Sequence, residues 1–227
     1  MDSPMSLRIV IQCAAAKQSG GFMRMPDGRR VKFVAHPELA PASESNVFKL
    51  VRPDDAIEPG ARTWRDLVLE YNLEDKNPQG LVQAHRLYTP PAYAALVRKF
   101  GVTSIYVLSA GWGLIPATFM TPNYDITFSV SADAFKRRRR TDAYRDFHLL
   151  GGTTEPIVFL GGKDYLPLFC ALTSQAKAPR LVYYNSAVAP DAPGCRKLRY
   201  PTTRRTNWHY SCAEDLINGT LELPSPT

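Results

Sequence analysis

Four stretches of this chain place polar or reactive side chains directly after apolar runs. Gln12 and Cys13 follow residues 7–11, with Lys17 just beyond Ala14, Ala15 and Ala16. Ser109 and Trp112 follow residues 105–108, Lys163 and Asp164 follow 156–160, and Asn185 follows 181–184. A lysine closing a turn of small residues offers a point charge to an anion where the backbone lets a ligand approach. The turn is not a Walker loop, because the GxxxxGK[ST] spacing is missing. Beyond the second run, Pro116, Pro122 and Asn123 keep the chain irregular as far as Tyr124-Asp125. An acid beside an aromatic in such a loop can stack a flat ligand and do chemistry on it.

These groups act together only if the elements bring them together. Each apolar run reads as a buried strand. In a parallel sheet the carboxyl ends of the strands share one edge, where diverging loops leave a crevice. Tyr88 and Asp125 would then overhang that edge. The segments between the runs carry the helical period. Thr63 is expected to cap a helix with Trp64, Leu67, Val68 and Tyr71 on one face. Further helices are expected over 92–100, ended by Gly101, and over about 165–172 and 212–217. A basic helix is expected over 131–148, with Ala134, Phe135, Tyr144 and Phe147 as its apolar side. The alternation predicts an α/β fold: a single three-layer domain over 1–227 with a mostly parallel central sheet. A Gly- and Pro-rich stretch at about 20–60 reads as an accessory loop or β insertion. Inside it the Pro26-Asp27-Gly28 turn predicts a hairpin strand over 28–34.

The net charge of +7 and pI near 9.3 favour a polyanionic partner such as nucleic acid. Lys136-Arg137-Arg138-Arg139-Arg140 is the densest basic run. Arg196, Lys197, Arg199, Arg204 and Arg205 form a second one. Arg137, Arg138, Arg139, Arg140, Arg204 and Arg205 are the expected phosphate contacts, with Trp208 among the aromatics available for stacking. No stretch approaches the roughly 20 apolar residues that span a bilayer. No basic segment followed by a hydrophobic signal core opens the chain. A cytoplasmic protein without a membrane partner is expected. Cys13, Cys170, Cys195 and Cys212 are widely spaced and lack a CxxC pair, so reduced thiols are the default. Neither a metal nor a cofactor is expected.

Four motifs in order carry a resemblance. They are Gln12-Cys13-Ala14-Ala15-Ala16-Lys17, Leu87-Tyr88-Thr89 before a helix, Leu108-Ser109-Ala110-Gly111-Trp112-Gly113-Leu114 with Tyr124-Asp125 after it, and Leu160-Gly161-Gly162-Lys163-Asp164-Tyr165. Together they resemble the YaaA-like and archaeosine-synthase-associated group, placed among uracil-DNA glycosylase-like α/β folds. The match covers most of residues 7–172, each motif being short. The 20–60 region and the basic C-terminus depart from compact members, and the GQDPY and HPSP motifs of the main uracil glycosylases are absent.

The resemblance implies contact with DNA, double-stranded and open to base modification, and cleavage of a base–sugar bond. Breaking an N-glycosidic bond builds positive charge on the sugar, which a carboxylate stabilises or answers by activating water. Asp125 is the first candidate for that role and Asp164 the second. The leaving base becomes anionic and needs a donor, His209 or Lys17. The base must also be flipped into a pocket. There Tyr88, Trp112 and Tyr124 would stack on it, and Gln12 or Asn185 would read its polar edge. Cys13 and Ser109 complete the expected wall, and Lys163 is a candidate Schiff-base amine. Three readings follow: a DNA glycosylase for a modified base, with hypermodified phage DNA as one setting; a non-catalytic DNA-binding stress protein; and an RNA- or nucleotide-modifying enzyme. Abasic product, salt-sensitive binding without product, or a preference for tRNA or free nucleotide would separate them.

Overall fold

A computed structural model describes residues 6–58, 62–221 and 223. In chain order the first half contains β1 (Arg8–Gln12), β2 (Val31–Val34), α1 (Ala42–Ser45), β3 (Lys49–Val51), α2 (Trp64–Leu73), β4 (Val82–Gln83), α3 (Ala84–Leu87) and α4 (Pro91–Phe100). The second half contains β5 (Ile105–Ser109), β6 (Gly113–Pro116), β7 (Met120–Thr121), β8 (Tyr124–Asp125), β9 (Phe147–His148), β10 (Ile157–Leu160), α5 (Leu166–Leu172), β11 (Arg180–Tyr184), β12 (Arg196–Arg199) and α6 (Trp208–Asn218).

Among the described residues seven strands form the central sheet, in the order β12-β11-β10-β1-β5-β6-β9. The pairings from β12 through β5 are all parallel, and β6 turns back antiparallel on β5. Ile9, Val10 and Ile11 of β1 are fully buried, as are all four residues of β10. Such unbroken apolar runs suit strands covered on both faces. The chain leaves β1 for β5 on one side and reaches β10 on the other. Because parallel crossovers are right-handed, α4 and α5 lie on opposite faces of the sheet. α6 packs on α4, which completes three layers. β1 is thus the point where the strand order reverses, and a crevice opens at its carboxyl end.

The helix signals at Thr63 and Gly101 are realised. Thr63 Oγ1 accepts from the Asp66 amide, and Asp66 accepts from the Thr63 amide, forming a capping box. Gly101 closes α4 at φ +81°. The 20–60 region forms structure of its own. Its Met25–Arg29 turn closes on a small antiparallel bridge, Arg24 to Arg30. The strand that follows is not one arm of a long hairpin. β2 lies between β3 and β8 in a second, three-stranded sheet, parallel to both, with Val34 opposite Asp125. The insertion therefore sets the backbone of the candidate carboxylate. Residues 59 and 60 of the expected insertion lie outside the described ones.

The basic helix expected over 131–148 does not form. The backbone groups that would have closed its turns are engaged across the fold instead. Thr127 N–H donates to Lys136 O at 3.0 Å, Arg138 N–H donates to Thr127 O at 2.8 Å, and His36 N–H takes Phe135 O at 2.8 Å. The segment reads as turns ending in β9. β12, expected only as a basic cluster, is an edge strand with exposed Arg196, Lys197 and Arg199. All four cysteines are free thiols. Among the described residues no helix is long and apolar enough to cross a membrane.

Candidate functional site

A cleft of about 550 Å³ opens at the carboxyl end of β1. The β1 end contributes Gln12, Cys13 and Lys17 to its wall, β8 contributes Asp125, and the turn after β10 contributes Gly162, Asp164 and Tyr165. The fourth side is the entry to α6, with Arg205, Trp208, His209 and Tyr210. Residues distant in the sequence meet here because β1 and β10 are neighbours and α6 returns over α4. The loop after β1 is pinned by Cys13 N–H to Leu108 O at 2.9 Å and by a bridge between Lys17 and Tyr88. Tyr93 of α4 donates its hydroxyl to Gln12 O at 2.6 Å.

The Gln12 side chain has a fixed orientation. Its Oε1 accepts from the Gly162 amide at 2.6 Å, and since an amide N–H can only donate, that atom is the oxygen. The Nε2 group is then left as a donor at the cleft wall. Asp125, about one-third exposed at its side chain, pairs with Lys136 Nζ at 3.4 Å; Lys136 also reaches Asp133 at 2.9 Å. His209 is buried, and its Nε2 has no hydrogen-bond partner. Burial pushes its pKa down to about 4, so the ring is neutral at pH 7. It leans on Tyr210 at 4.2 Å between ring centroids.

Lys17 sits on an aromatic floor. Its Nζ lies 4.5 Å from the centroid of the Tyr124 ring and 5.9 Å from that of Tyr88. Under it, Tyr124 shares hydrogen bonds of 2.8 Å with both Tyr88 and Ser109. Ser109 Oγ in turn accepts from the amides of Gly111 and Trp112. Burial pushes the phenols of Tyr88 and Tyr124 far up, so both stay neutral. Cys13 Sγ lies 3.2 Å from the Tyr165 hydroxyl on the same floor.

Several expected contacts are placed elsewhere. Tyr88, Ser109 and Tyr124 lie beneath the cleft, buried and hydrogen-bonded to one another, and are not exposed for stacking. Trp112 is fully buried in the core, edge-on to Phe33 and stacked on Phe147. Its partners are core rings because Arg65 seals the turn around it. That guanidinium donates to Gly111 O at 2.9 Å and Trp112 O at 3.3 Å, and pairs with Asp54. Asn185 does not reach the cleft; its Nδ2 donates to Arg204 O at 2.9 Å and holds the loop leading to α6. Lys163 is exposed and lines a separate cavity of about 910 Å³ beside Arg140 and Arg180. Arg138 is no surface contact. It is buried, pairs with Asp146 at 2.6 Å, and lies 3.8 Å from the Tyr144 ring centroid. Arg139, Arg140, Arg204 and Arg205 are exposed, and Arg137 is half-buried.

The sequence reading missed three residues. In the sequence Lys136 is one member of a basic run, yet in the fold it holds Asp125. Tyr165 could have been found, since it follows Asp164 at the same strand end. Arg65 carried no signal, being an arginine on a helix whose buried face is otherwise apolar. Comparison of the chain with protein-family models, curated proteins and solved structures finds no match in any of the three.

Proposed function

We propose that this protein is a DNA N-glycosylase, with a uracil-DNA glycosylase-like fold related to the YaaA-like group, acting on DNA in the cytoplasm. The observation that carries this reading is the meeting of Asp125, His209 and Gln12 around one cleft at the switch point of the sheet, beside the exposed Arg205. The four groups match the four demands of the reaction. Asp125 takes a proton from water as the oxygen attacks C1′, or faces the cationic sugar directly. The C1′–N bond breaks and its electron pair leaves with the base. His209 is neutral, so it offers an N–H hydrogen bond to the anionic base and does not deliver a full proton. Gln12 Nε2 donates to an acceptor on the base edge, and Arg205 pairs with a backbone phosphate. Arg204, Arg139 and Arg140 extend the basic surface.

A volume of about 550 Å³ leaves room beyond a bare pyrimidine. That supports a bulky, hypermodified base such as glucosylated hydroxymethylcytosine, and a role in defence against phage whose DNA carries it. The test is direct. Plain, uracil-containing, hydroxymethylated and glucosylated DNA are incubated with the protein, and released base is measured by mass spectrometry. Release from one DNA, abolished by Asp125→Ala, is the expected result. No release from any of them, with salt-sensitive binding intact, would leave a DNA-binding protein without this chemistry.

A further inference from the structure

Two lysines reach the cleft, and their surroundings are opposite. Lys136 is clamped between Asp133 and Asp125, and the hydrogen bond to Asp133 leads in raising its pKa. Lys17 forms no ion pair among the described residues. The polar contact of its Nζ is a long one, 3.5 Å to Ala15 O, and it lies over the faces of two neutral phenols, with Asp125 and Cys13 acting on it from farther off. Burial of the ammonium pushes the Lys17 pKa down, against smaller opposing effects of Cys13 and Asp125. A lysine kept for phosphate alone works best charged and solvated, whereas a lysine kept as a nucleophile needs its lone pair. Desolvation by burial is one of the ways that lone pair is freed, and here it outweighs the pull of the two ring faces on the ammonium.

We propose that Lys17 is an amine nucleophile toward aldehyde sugars, making the protein an abasic-site lyase as well as a glycosylase. The inference rests on the glycosylase reading for its setting, because base removal is what creates the aldehyde in this cleft. The Lys17 amine adds to C1′ of the ring-opened sugar. The carbonyl oxygen leaves as water, and a C=N bond joins Nζ to C1′. The iminium acidifies C2′, whose proton passes to the Asp125 carboxylate. The electron pair of the C2′–H bond forms a C2′–C3′ double bond, and the C3′–O bond breaks with its pair leaving on the phosphate. Water then hydrolyses the imine and restores the amine. No oxidant or reductant is consumed. The geometry moves this role from Lys163, the sequence candidate, which faces the other cavity.

A preformed abasic site separates this inference from the reading it rests on. Oligonucleotide duplexes with one such site are mixed with the full-length protein and sodium cyanoborohydride, which reduces an imine to a stable amine. The expected result is a covalent protein–DNA adduct and, without reductant, a strand break on the 3′ side needing no alkali. Mass spectrometry of the digested adduct should map it to Lys17 in the unsubstituted protein, whatever the variants do to folding. Lys17→Arg and Lys17→Met should reduce trapping to background, and Lys163→Ala should leave it unchanged. Absence of an adduct, or an adduct mapped to another residue, overturns the inference. Base release without an adduct would leave a glycosylase that is not a lyase. An adduct at Lys17 without base release from any intact DNA would uphold the lyase and remove the glycosylase.

Discussion

The loops after β1 and β5 begin as near twins and end as opposites. The two strands are parallel neighbours in register, Gln12 beside Leu108. Both loops are built of small residues with polar side chains. The loop after β5 turns inward. Arg138 takes Ala110 O at 2.8 Å, Arg65 takes Gly111 O and Trp112 O, and Phe147 N–H also takes Trp112 O at 2.9 Å. Those arginines are in turn neutralised by Asp146 and Asp54. Among the described residues no buried arginine seals the loop after β1 in this way, and Gln12 Nε2 and Lys17 Nζ are left to the cleft. A strand end at the edge of a parallel sheet is therefore only an opportunity. Whether it becomes a site depends on whether buried charge from elsewhere closes it.

The largest way to break this contrast is to remove the seal. Arg65→Ala should cost about 3–5 kcal/mol, because it removes the buried ion-pair partner of Asp54 and the side-chain donor to Gly111 O. Urea unfolding measures it, and a change near zero would mean that the loop after β5 does not need its arginine. Gly113→Ala tests the same loop through its backbone. Gly113 sits at φ +87°, and a Cβ there would lie 2.5 Å from Phe147 O. A loss of about 2 kcal/mol is expected from strain at that position.

His209 sharpens the comparison from the open side. Its folded pKa is near 4, below its ordinary value of 6.5. Between those values the unfolded chain binds a proton that the folded chain refuses. The stability tied to the neutral ring is complete above the upper value and falls away through the lower one, by up to about 3 kcal/mol. Unfolding midpoints at pH 7, 5 and 4 should decline steeply in the unsubstituted protein and less steeply in His209→Phe. Parallel declines would place His209 in contact with water or with a carboxylate.

The parts of the fold legible in the sequence were those fixed by local pattern. The apolar runs of β1, β5, β10 and β11 and the cap at Thr63 depend on residues next to one another, and each forms where it was expected. Gln12, Lys17 and Asp164 also converge as parallel strand ends require, and Asp125 overhangs them from β8 of the smaller sheet. What the sequence hid was partnership. Nothing near Arg138 separates a phosphate-binding arginine from one buried against Asp146, and the helix expected around it gave way to pairing with Thr127 and His36. Trp112 looked like a stacking platform because the arginine that seals it comes from another element. The exposure of Tyr88 and Tyr124 depended likewise on tertiary packing, which sets them under Lys17 and not beside it.

The smallest expected effect is the most telling for the open loop. Folding desolvates the Lys17 ammonium without an ion pair among the described residues, and the pull of Asp125 offsets this only in part, so at neutral pH the charge opposes the folded state. Lys17→Met keeps the stem and drops the charge. It should be neutral or stabilising, by no more than about 1 kcal/mol, as for a residue retained for activity at the expense of stability. The sign can be checked further with pH. Because the folded pKa is the lower one, the unsubstituted protein gains stability as pH rises toward the ordinary lysine value of 10.5. Any advantage of Lys17→Met measured at pH 7 should therefore shrink by pH 10. If Lys17→Met is instead destabilising at pH 7, the charge has a partner, and the loop after β1 is closed in the same manner as its neighbour.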